Sequence, residues 1–291
     1  MLYTIENEFL RVALAPRGGE LRSIYGKKTG IEYLWQGDEL YWADRSPILF
    51  PICGRLPERR YTYRGKTYEM GLHGFVQDMT VSVTEQAADA ITLSVSDTPE
   101  TRAQYPFAFG FSVRYSLQGS TLFVDFTVKN TGDEELIFGL GAHPGFNLPL
   151  SDDAAEDYDI CFSTGVAPRE LLFGPNALFV AVGQEYELTD GYRIPFTHRL
   201  LDDDGLFFTD MGDEAALISR KTGHGVRLSF AGFPYLGFWH PGKTDAPFLC
   251  IEPWESLPSY EKTKEDLASK PFMKRLSVGG TYQNGYSIEI L

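Results

Sequence analysis

The chain has 291 residues, 43% of them hydrophobic and 14% aromatic, enough to bury one large core, so we expect a single domain spanning residues 1–291. Its formal net charge of −14 at pH 7, with no basic stripe, argues against nucleic acid and anionic membrane surfaces as partners. The amino terminus lacks a basic segment followed by an apolar one, and no apolar run approaches the ~20 residues that span a bilayer. We therefore expect a cytoplasmic protein.

Short runs of alternating apolar and polar residues, separated by turn residues, dominate the chain. In chain order they predict strands over residues 91–95, 110–117, 121–129, 216–219 and 226–230. Residues 121–129 are the clearest case, because every second residue is apolar and the following NTGD sequence is a strong turn signal. Short helices are suggested only near residues 100–104 and 262–270. Many strands, few helices and no βαβ rhythm predict an all-β fold, a large antiparallel sandwich.

In such a sandwich the loops and strand ends carry the chemistry. Residues 47–55 (PILFPICGR) end in Arg55, whose guanidinium would project from a rigid edge and bind oxygen atoms; an ordinary surface arginine is the alternative. Residues 233–241 are rich in aromatic side chains, among them Trp239. Aromatic faces pack against the C–H surface of sugars, although packing in the core is the more frequent use of such residues.

Two histidines and one glutamate lie in constrained local sequences. His73 occurs in GLHGF and His143 in GAHPGF, so that small neighbours leave each imidazole accessible and an aromatic ring follows. Either histidine alone would more often be structural, but the repeated pattern weakens that interpretation. Glu252 lies in the apolar run FLCIEPW, where a carboxylate is costly to bury without a partner or a purpose. The three residues supply one base and two candidate acids for proton transfer.

Three cysteines, Cys53, Cys161 and Cys250, are widely separated and unlike any paired zinc spacing. This usage fits reduced thiols in a cytosol better than a disulfide framework. Neither Cys53 nor Cys250 has an adjacent base, so both are interpreted as buried packing residues rather than nucleophiles.

Four segments, in this order, resemble the motifs of the aldose 1-epimerase (galactose mutarotase) family, and are closest to its LacX-like branch. They are PILFPICGRL (47–56), HGF (73–75), HPGF (143–146) and PFLCIEPW (247–254). The resemblance implies a galactose-mutarotase-type super-sandwich of antiparallel strands. It also implies an isomerase that interconverts the α and β anomers of a free aldose such as an aldohexose, with no metal or organic cofactor.

The resemblance further implies a role for each motif residue. Glu252 would be the general base that takes the proton from the C1 hydroxyl, and His143 the acid that protonates the ring oxygen. His73 would hydrogen-bond near the ring oxygen and support the same transfer. For Glu252 to act as a base near neutral pH, desolvation by its apolar neighbours should raise its pKa.

Substrate-binding residues follow from the same resemblance. Arg55 would bind sugar hydroxyls, and Asp204, at the start of DGLFF, resembles the family's substrate-binding aspartate, with Asp210 as a nearby alternative. One departure is that the family's HGFARD string is HGFVQD here, so Gln77 stands in place of an arginine.

Three other functions stay open at this point. A hexose-6-phosphate 1-epimerase on the same fold would need a cationic pocket, which the acidic composition disfavours. A non-catalytic carbohydrate-binding or sensing protein would keep the groove without turnover. A cupin-like metal enzyme would use His73, His143 and Glu252 as ligands, although they lack close His-x-His spacing. The sequence does not decide between a monomer and a homodimer.

Overall fold

The structure, a computed structural model, describes residues 1–261 and 265–291 and is almost entirely β. The strands among these residues are β1 (Tyr3–Glu6), β2 (Leu10–Leu14), β3 (Leu21–Gly26), β4 (Ile48–Leu49), β5 (Arg60–Tyr63), β6 (Lys66–Glu69), β7 (Ser82–Gln86), β8 (Ala90–Ser96), β9 (Phe109–Gln118), β10 (Thr121–Asn130), β11 (Leu136–Phe138), β12 (Gly141–Ala142), β13 (Gly145–Asn147), β14 (Tyr158–Phe162), β15 (Arg169–Phe173), β16 (Phe179–Glu185), β17 (Arg193–Pro195), β18 (Leu206–Thr209), β19 (Glu214–Ser219), β20 (Gly225–Ser229), β21 (Tyr235–Trp239), β22 (Phe248–Trp254), β23 (Lys274–Leu276) and β24 (Thr281–Ile290). The helices are one α-helix, α1 (Pro99–Gln104), and the short 3-10 helices Pro57–Arg59, Val76–Asp78, Ala155–Asp157 and His198–Leu201. No helix in the described part is long and apolar enough to cross a membrane.

Two large antiparallel sheets form the body of the fold. One has nine strands in the order β17-β14-β19-β20-β24-β10-β9-β8-β7, and the other has eight, β16-β15-β18-β21-β22-β12-β4 with β13 also paired to β22. Their inner faces share one hydrophobic core. In that core Phe162 of the first sheet packs against Phe208 of the second, with ring centroids 5.8 Å apart. The predicted all-β antiparallel sandwich is confirmed.

The apolar residues that alternate along residues 121–129 lie in this core. Leu122, Val124, Phe126 and Val128 of β10 are all at most 1% exposed. Burying each such side chain stabilises the fold by roughly 1.5–3 kcal/mol relative to exposure. The other predicted strands also form, as β8, β9, β19 and β20.

The helix prediction is correct at one position and wrong at the other. α1 forms because the Thr98 hydroxyl accepts a hydrogen bond from the backbone N–H of Thr101 in a capping box. Residues 262–264 of the second predicted helix lie outside the described residues, and residues 265–270 contain no helix. There the backbone pairs with β5 instead: Glu265 accepts from Thr62 N–H, and Leu267 donates to the Thr62 carbonyl.

β22 is the strand that positions the candidate site. All seven of its residues are buried. Leu249 and Ile251 belong to the core between the sheets, so the alternate residues, including Glu252 and Trp254, point to the opposite face. A strand buried on both faces reads as a continuous apolar run, which is why the glutamate stands out in the sequence.

The register of the neighbouring strands places His143 opposite Glu252. Gly141 of β12 pairs with Trp254, and β13 continues on β22 in the same register after a short interruption. His143 lies in that interruption, at the position that matches Glu252. Opposed residues of antiparallel strands project to the same face, so the two side chains meet.

Candidate active site

A cavity of about 210 Å³ lies beside β22. All six residues predicted to bind or transform a substrate line it, although they come from separate segments: Arg55, His73, His143, Asp204, Trp239 and Glu252. Asp210, the alternative to Asp204, is exposed beyond the other end of β18 and does not line the cavity.

Glu252 is a buried carboxyl group without a hydrogen-bond donor. It is 1% exposed, and neither of its oxygens accepts a hydrogen bond from the described residues. Burial raises the pKa of Glu252 well above its usual range, and the nearby negative charge of Asp204 raises it further. The indole N–H of Trp254 is close enough to Glu252 to oppose this shift, although its geometry is not that of a formed hydrogen bond. The carboxyl therefore holds its proton more tightly than a solvated glutamate does.

His143 faces Glu252 inside an aromatic enclosure. Its Nε2 atom lies 3.2 Å from Oε2 of Glu252, while its buried Nδ1 atom has no partner in the described part of the chain. The imidazole packs beside Trp42 and Trp239, with ring centroids 4.9 and 5.5 Å away. Burial lowers the pKa of His143 to about 3. Since burial disfavours charge on both groups, the resting pair is a protonated Glu252 and a neutral His143, with one titratable proton in total.

His73 is held as a neutral hydrogen-bond donor. The backbone N–H of Gly54 donates to its Nδ1 atom over 3.0 Å, so the ring hydrogen must be on Nε2. Burial, followed by the positive charges that His143 and Arg55 can carry, lowers the pKa of His73 well below its usual range. Its backbone is left-handed, with φ of 61°. This is a strained conformation of the kind found at functional sites.

Two loops are joined so that Arg55 and His73 lie side by side. Phe50 N–H donates to the His73 carbonyl (3.2 Å), and His73 N–H donates to the Gly54 carbonyl (3.0 Å). Gly54 has φ of 74°, and a Cβ atom at that position would lie 2.3 Å from Pro258. Only glycine therefore fits before Arg55, whose side chain is exposed at the mouth of the cavity.

Aromatic rings form much of the cavity wall. Besides Trp239, the wall contains Trp42 and Phe207, which the sequence analysis did not single out. The Phe207 ring packs 4.9 Å from that of Trp254 and lies over Gly237, the residue that pairs with Glu252 on β21. The DGLFF segment that indicated Asp204 could also have indicated Phe207. Trp42 lies in a stretch without a periodic pattern, so the sequence carried no signal for it.

Two polar residues extend the site beyond the prediction. Gln77 lines the cavity, and its amide nitrogen donates to the Leu72 carbonyl over 3.1 Å. This contact ties its amide group to the loop that carries His73. Asp44 also lines the cavity. Burial, assisted by the negative charge of Glu20, raises the pKa of Asp44.

Cys250 has a base beside it, contrary to the expectation from the sequence. Ligand atoms of Cys250, His143 and Glu252 all lie within 4.8 Å of one another, so a base does lie beside this cysteine in space. Burial nevertheless raises the pKa of the Cys250 thiol well above its usual value, which keeps it a poor nucleophile.

The metal site considered from the sequence would use His73, His143 and Glu252 as ligands. Among the described residues, the ligand atoms of these three side chains do not come close enough together to hold one metal ion. The Gly54 amide already occupies Nδ1 of His73.

Comparisons with known proteins identify similar chains. A family model described as Aldose 1-epimerase matches residues 1–262. The chromosomal protein LacX of Lactococcus lactis subsp. lactis is 32% identical over 302 residues, which cover 100% of both chains. A galactose mutarotase related enzyme from Lactobacillus acidophilus superposes with a TM-score of 0.92 at 34% identity, covering 100% of this chain and 97% of the other. A galactose mutarotase-like protein from Lactobacillus casei gives 0.93 at 32% identity over 100% of both chains.

Proposed function

The chain belongs to the aldose 1-epimerase family, and we propose that it is a cofactor-independent mutarotase that interconverts the α and β anomers of a free aldose. One observation carries the proposal: the buried oxygens of Glu252 accept no hydrogen bond from the described residues and lie against His143. Leaving a buried polar group unpaired costs about 1–3 kcal/mol. A hydroxyl group of a bound sugar would supply the missing donor.

Anomer exchange requires two proton transfers at one sugar carbon. A proton leaves the C1 hydroxyl while another arrives at the ring oxygen, and the C1–O5 bond breaks to give the open-chain aldehyde. Rotation about C1–C2 followed by the reverse transfers closes the ring on the other face. In the proposal, Glu252 takes the hydroxyl proton and His143 protonates the ring oxygen. A positioned acid or base typically contributes 10²–10⁴-fold to the rate.

The shared proton of Glu252 and His143 matches this reaction. A C1 hydroxyl that donates to Glu252 favours the ionised carboxylate, and a ring oxygen that accepts from His143 favours the imidazolium. Ring opening then moves one proton onto Glu252 and one off His143. The pair returns to the neutral state that burial favours, so the open-chain aldehyde forms without leaving a charge buried. The total proton count of the pair does not change.

Four further residues would hold the sugar in this orientation. His73 Nε2–H is a fixed donor next to His143, with ring centroids 5.5 Å apart, and it would hydrogen-bond near the ring oxygen. Arg55 and Asp204, at the mouth, would bind the hydroxyls. Trp239 would pack against the C–H face of the ring.

Polarimetry with a freshly dissolved α-aldose tests the proposal. We expect Glu252→Gln to lower the enzymatic rate of anomer exchange by about 100-fold or more, because the amide cannot accept the C1 proton. Glu255→Gln is a matched control, since Glu255 is also buried and close in sequence but does not line the cavity. If Glu252→Gln kept the wild-type rate, the assignment of Glu252 as the base would be wrong.

A further inference from the structure

Trp254 carries a polar group that the mechanism proposed above does not use. The residue is 3% exposed and lines the cavity. Its Nε1–H group is buried and donates no hydrogen bond to residues 1–261 or 265–291. Buried N–H groups nearly always have a partner, so a free one in the wall of a cavity indicates an acceptor that a bound molecule supplies.

Trp254 and Glu252 present complementary unpaired groups to the same part of the cavity. The two residues alternate with Pro253 along β22, so their side chains leave the same face of the strand. Among the described residues, the Glu252 oxygens lack a donor and the Trp254 nitrogen lacks an acceptor. A hydroxyl group can donate one hydrogen bond and accept another. One hydroxyl between the two side chains would therefore satisfy both of them.

Packing fixes the direction of the indole N–H. The Phe207 ring lies 4.9 Å from the indole ring, and the His73 ring lies 5.7 Å from it at an interplanar angle of 70°. On another side, a Cβ atom at Gly141 would be 3.0 Å from Cδ1, the indole carbon bonded to Nε1. The indole cannot turn its N–H toward a different acceptor without displacing these neighbours, so the donor is fixed before a ligand binds.

We propose that Trp254 is a further catalytic residue, whose indole N–H donates a hydrogen bond to the C1 oxygen, O1, of the bound aldose. The proposal rests on the mutarotase function proposed above, which places the C1 hydroxyl against Glu252. The C1 hydroxyl then donates to Glu252 and accepts from Trp254.

This hydrogen bond stabilises the electron density that develops on O1 during ring opening. The O1–H bond breaks and its proton passes to Glu252. The electron pair left on O1 forms the C1=O1 double bond while the C1–O5 bond breaks, and O5 takes a proton from His143. A fixed donor on O1 is worth more in this transition state than in the ground state, so it raises kcat.

Two pairs of matched ligands test the contact with O1. The probes are D-glucose and D-galactose, each with its 1,5-anhydro derivative, which keeps the ring oxygen but lacks O1. Trp254→Phe keeps an aromatic ring and removes the N–H. We expect it to lower kcat in polarimetry about 100-fold. In titration calorimetry it should weaken binding of the aldose about fivefold more than binding of the 1,5-anhydro sugar, the effect of one hydrogen bond.

Two further variants separate the hydrogen bond from the shape of the ring. Trp239→Phe changes the wall that is proposed to pack against the C–H face, so it should weaken both ligands of a pair alike. Replacing Trp254 by 3-benzothienylalanine exchanges the N–H for a sulfur atom and keeps the outline of the indole. This replacement should reproduce the effects of Trp254→Phe, and it carries the test if the smaller phenylalanine ring disturbs the fold.

Two results would overturn the proposal: wild-type kcat after removal of the N–H, or an equal loss of affinity for an aldose and its 1,5-anhydro derivative. An equal loss would assign the N–H to another acceptor, such as Glu252 itself. If the wild type anomerises neither aldose, the mutarotase proposal fails instead. The calorimetric comparison of each aldose with its 1,5-anhydro derivative then still decides whether Trp254 binds O1.

Discussion

His143 and Glu252 form a buried pair, with Nε2 and Oε2 3.2 Å apart and side chains that are 9% and 1% exposed. Two ionisable groups so close together titrate as a unit, and their apparent pKa values belong to the pair. Because burial lowers the pKa of His143 to about 3 and raises that of Glu252 well above its usual range, the state with one shared proton extends over a wide range of pH.

The first prediction concerns the pH dependence of kcat/KM. Activity requires one proton on the pair, so it should be flat through neutrality. It should fall in alkali, where Glu252 loses the shared proton, and in strong acid near the His143 pKa of about 3, where the pair gains a second one. Exchange NMR at a series of pH values measures the profile. A steep loss of activity between about pH 5 and 7, the range of an ordinary histidine, would contradict this account.

The second prediction concerns stability. The pKa of Glu252 is higher in the folded chain than in the unfolded one. In acid the carboxyl is protonated in both states, so its burial costs little. As pH rises from the unfolded-state pKa toward the folded-state pKa, the unfolded chain ionises first and the free energy of unfolding falls. Glu252→Gln should remove this decrease in the free energy of unfolding, because glutamine does not ionise. We expect equal stability of the variant and wild type below about pH 4, and a higher denaturation midpoint of the variant above neutrality, by roughly 2–4 °C per kcal/mol gained.

Thermal unfolding followed by circular dichroism at both pH values gives this comparison. A variant that is less stable than the wild type in alkali would show that Glu252 has a stabilising partner, in disagreement with its unpaired oxygens.

The local motifs of the sequence were sufficient to name the candidate site, but long-range pairing determined its geometry. His143 meets Glu252 only because β12 and β13 pair with β22 in one register, which no local pattern encodes. The sequence favoured Asp204 but left Asp210 as an alternative, and the structure places the two at opposite ends of β18. Four strand residues span roughly 13 Å at ~3.3 Å each, so only one of the two aspartates can reach the cavity.

The aromatic wall was the least predictable part of the site. Trp42 reaches the cavity because the indole N–H of Trp35 donates to its carbonyl over 2.8 Å and Phe248 stacks beside its ring at 5.7 Å. These partners come from distant or irregular segments, so neither periodicity nor spacing could have predicted the contact.

The third prediction separates the chemistry of His73 from its backbone strain. Asparagine adopts the left-handed conformation more readily than most residues, so His73→Asn should keep the fold and the denaturation midpoint. It loses the imidazole Nε2–H donor, and we expect kcat to fall about 100-fold. His73→Val is the contrasting variant, because a β-branched residue at φ of 61° should lower the midpoint as well. Wild-type kcat in His73→Asn would reduce His73 to a structural residue.

The fourth prediction concerns the glycine beside Glu252 on β21. A Cβ atom at Gly237 would lie 2.3 Å from the Phe207 ring, so Gly237→Ala must displace that ring, which lines the cavity. We expect a loss of about 1–3 kcal/mol in the free energy of unfolding and a raised KM, because the displaced ring narrows the space for the sugar. Gly110→Ala, in β9, is the matched control, since a Cβ there meets its nearest neighbour at 3.7 Å. Urea unfolding and polarimetry measure the two effects, and combining Gly237→Ala with Phe207→Leu should restore KM if the Phe207 ring is the cause.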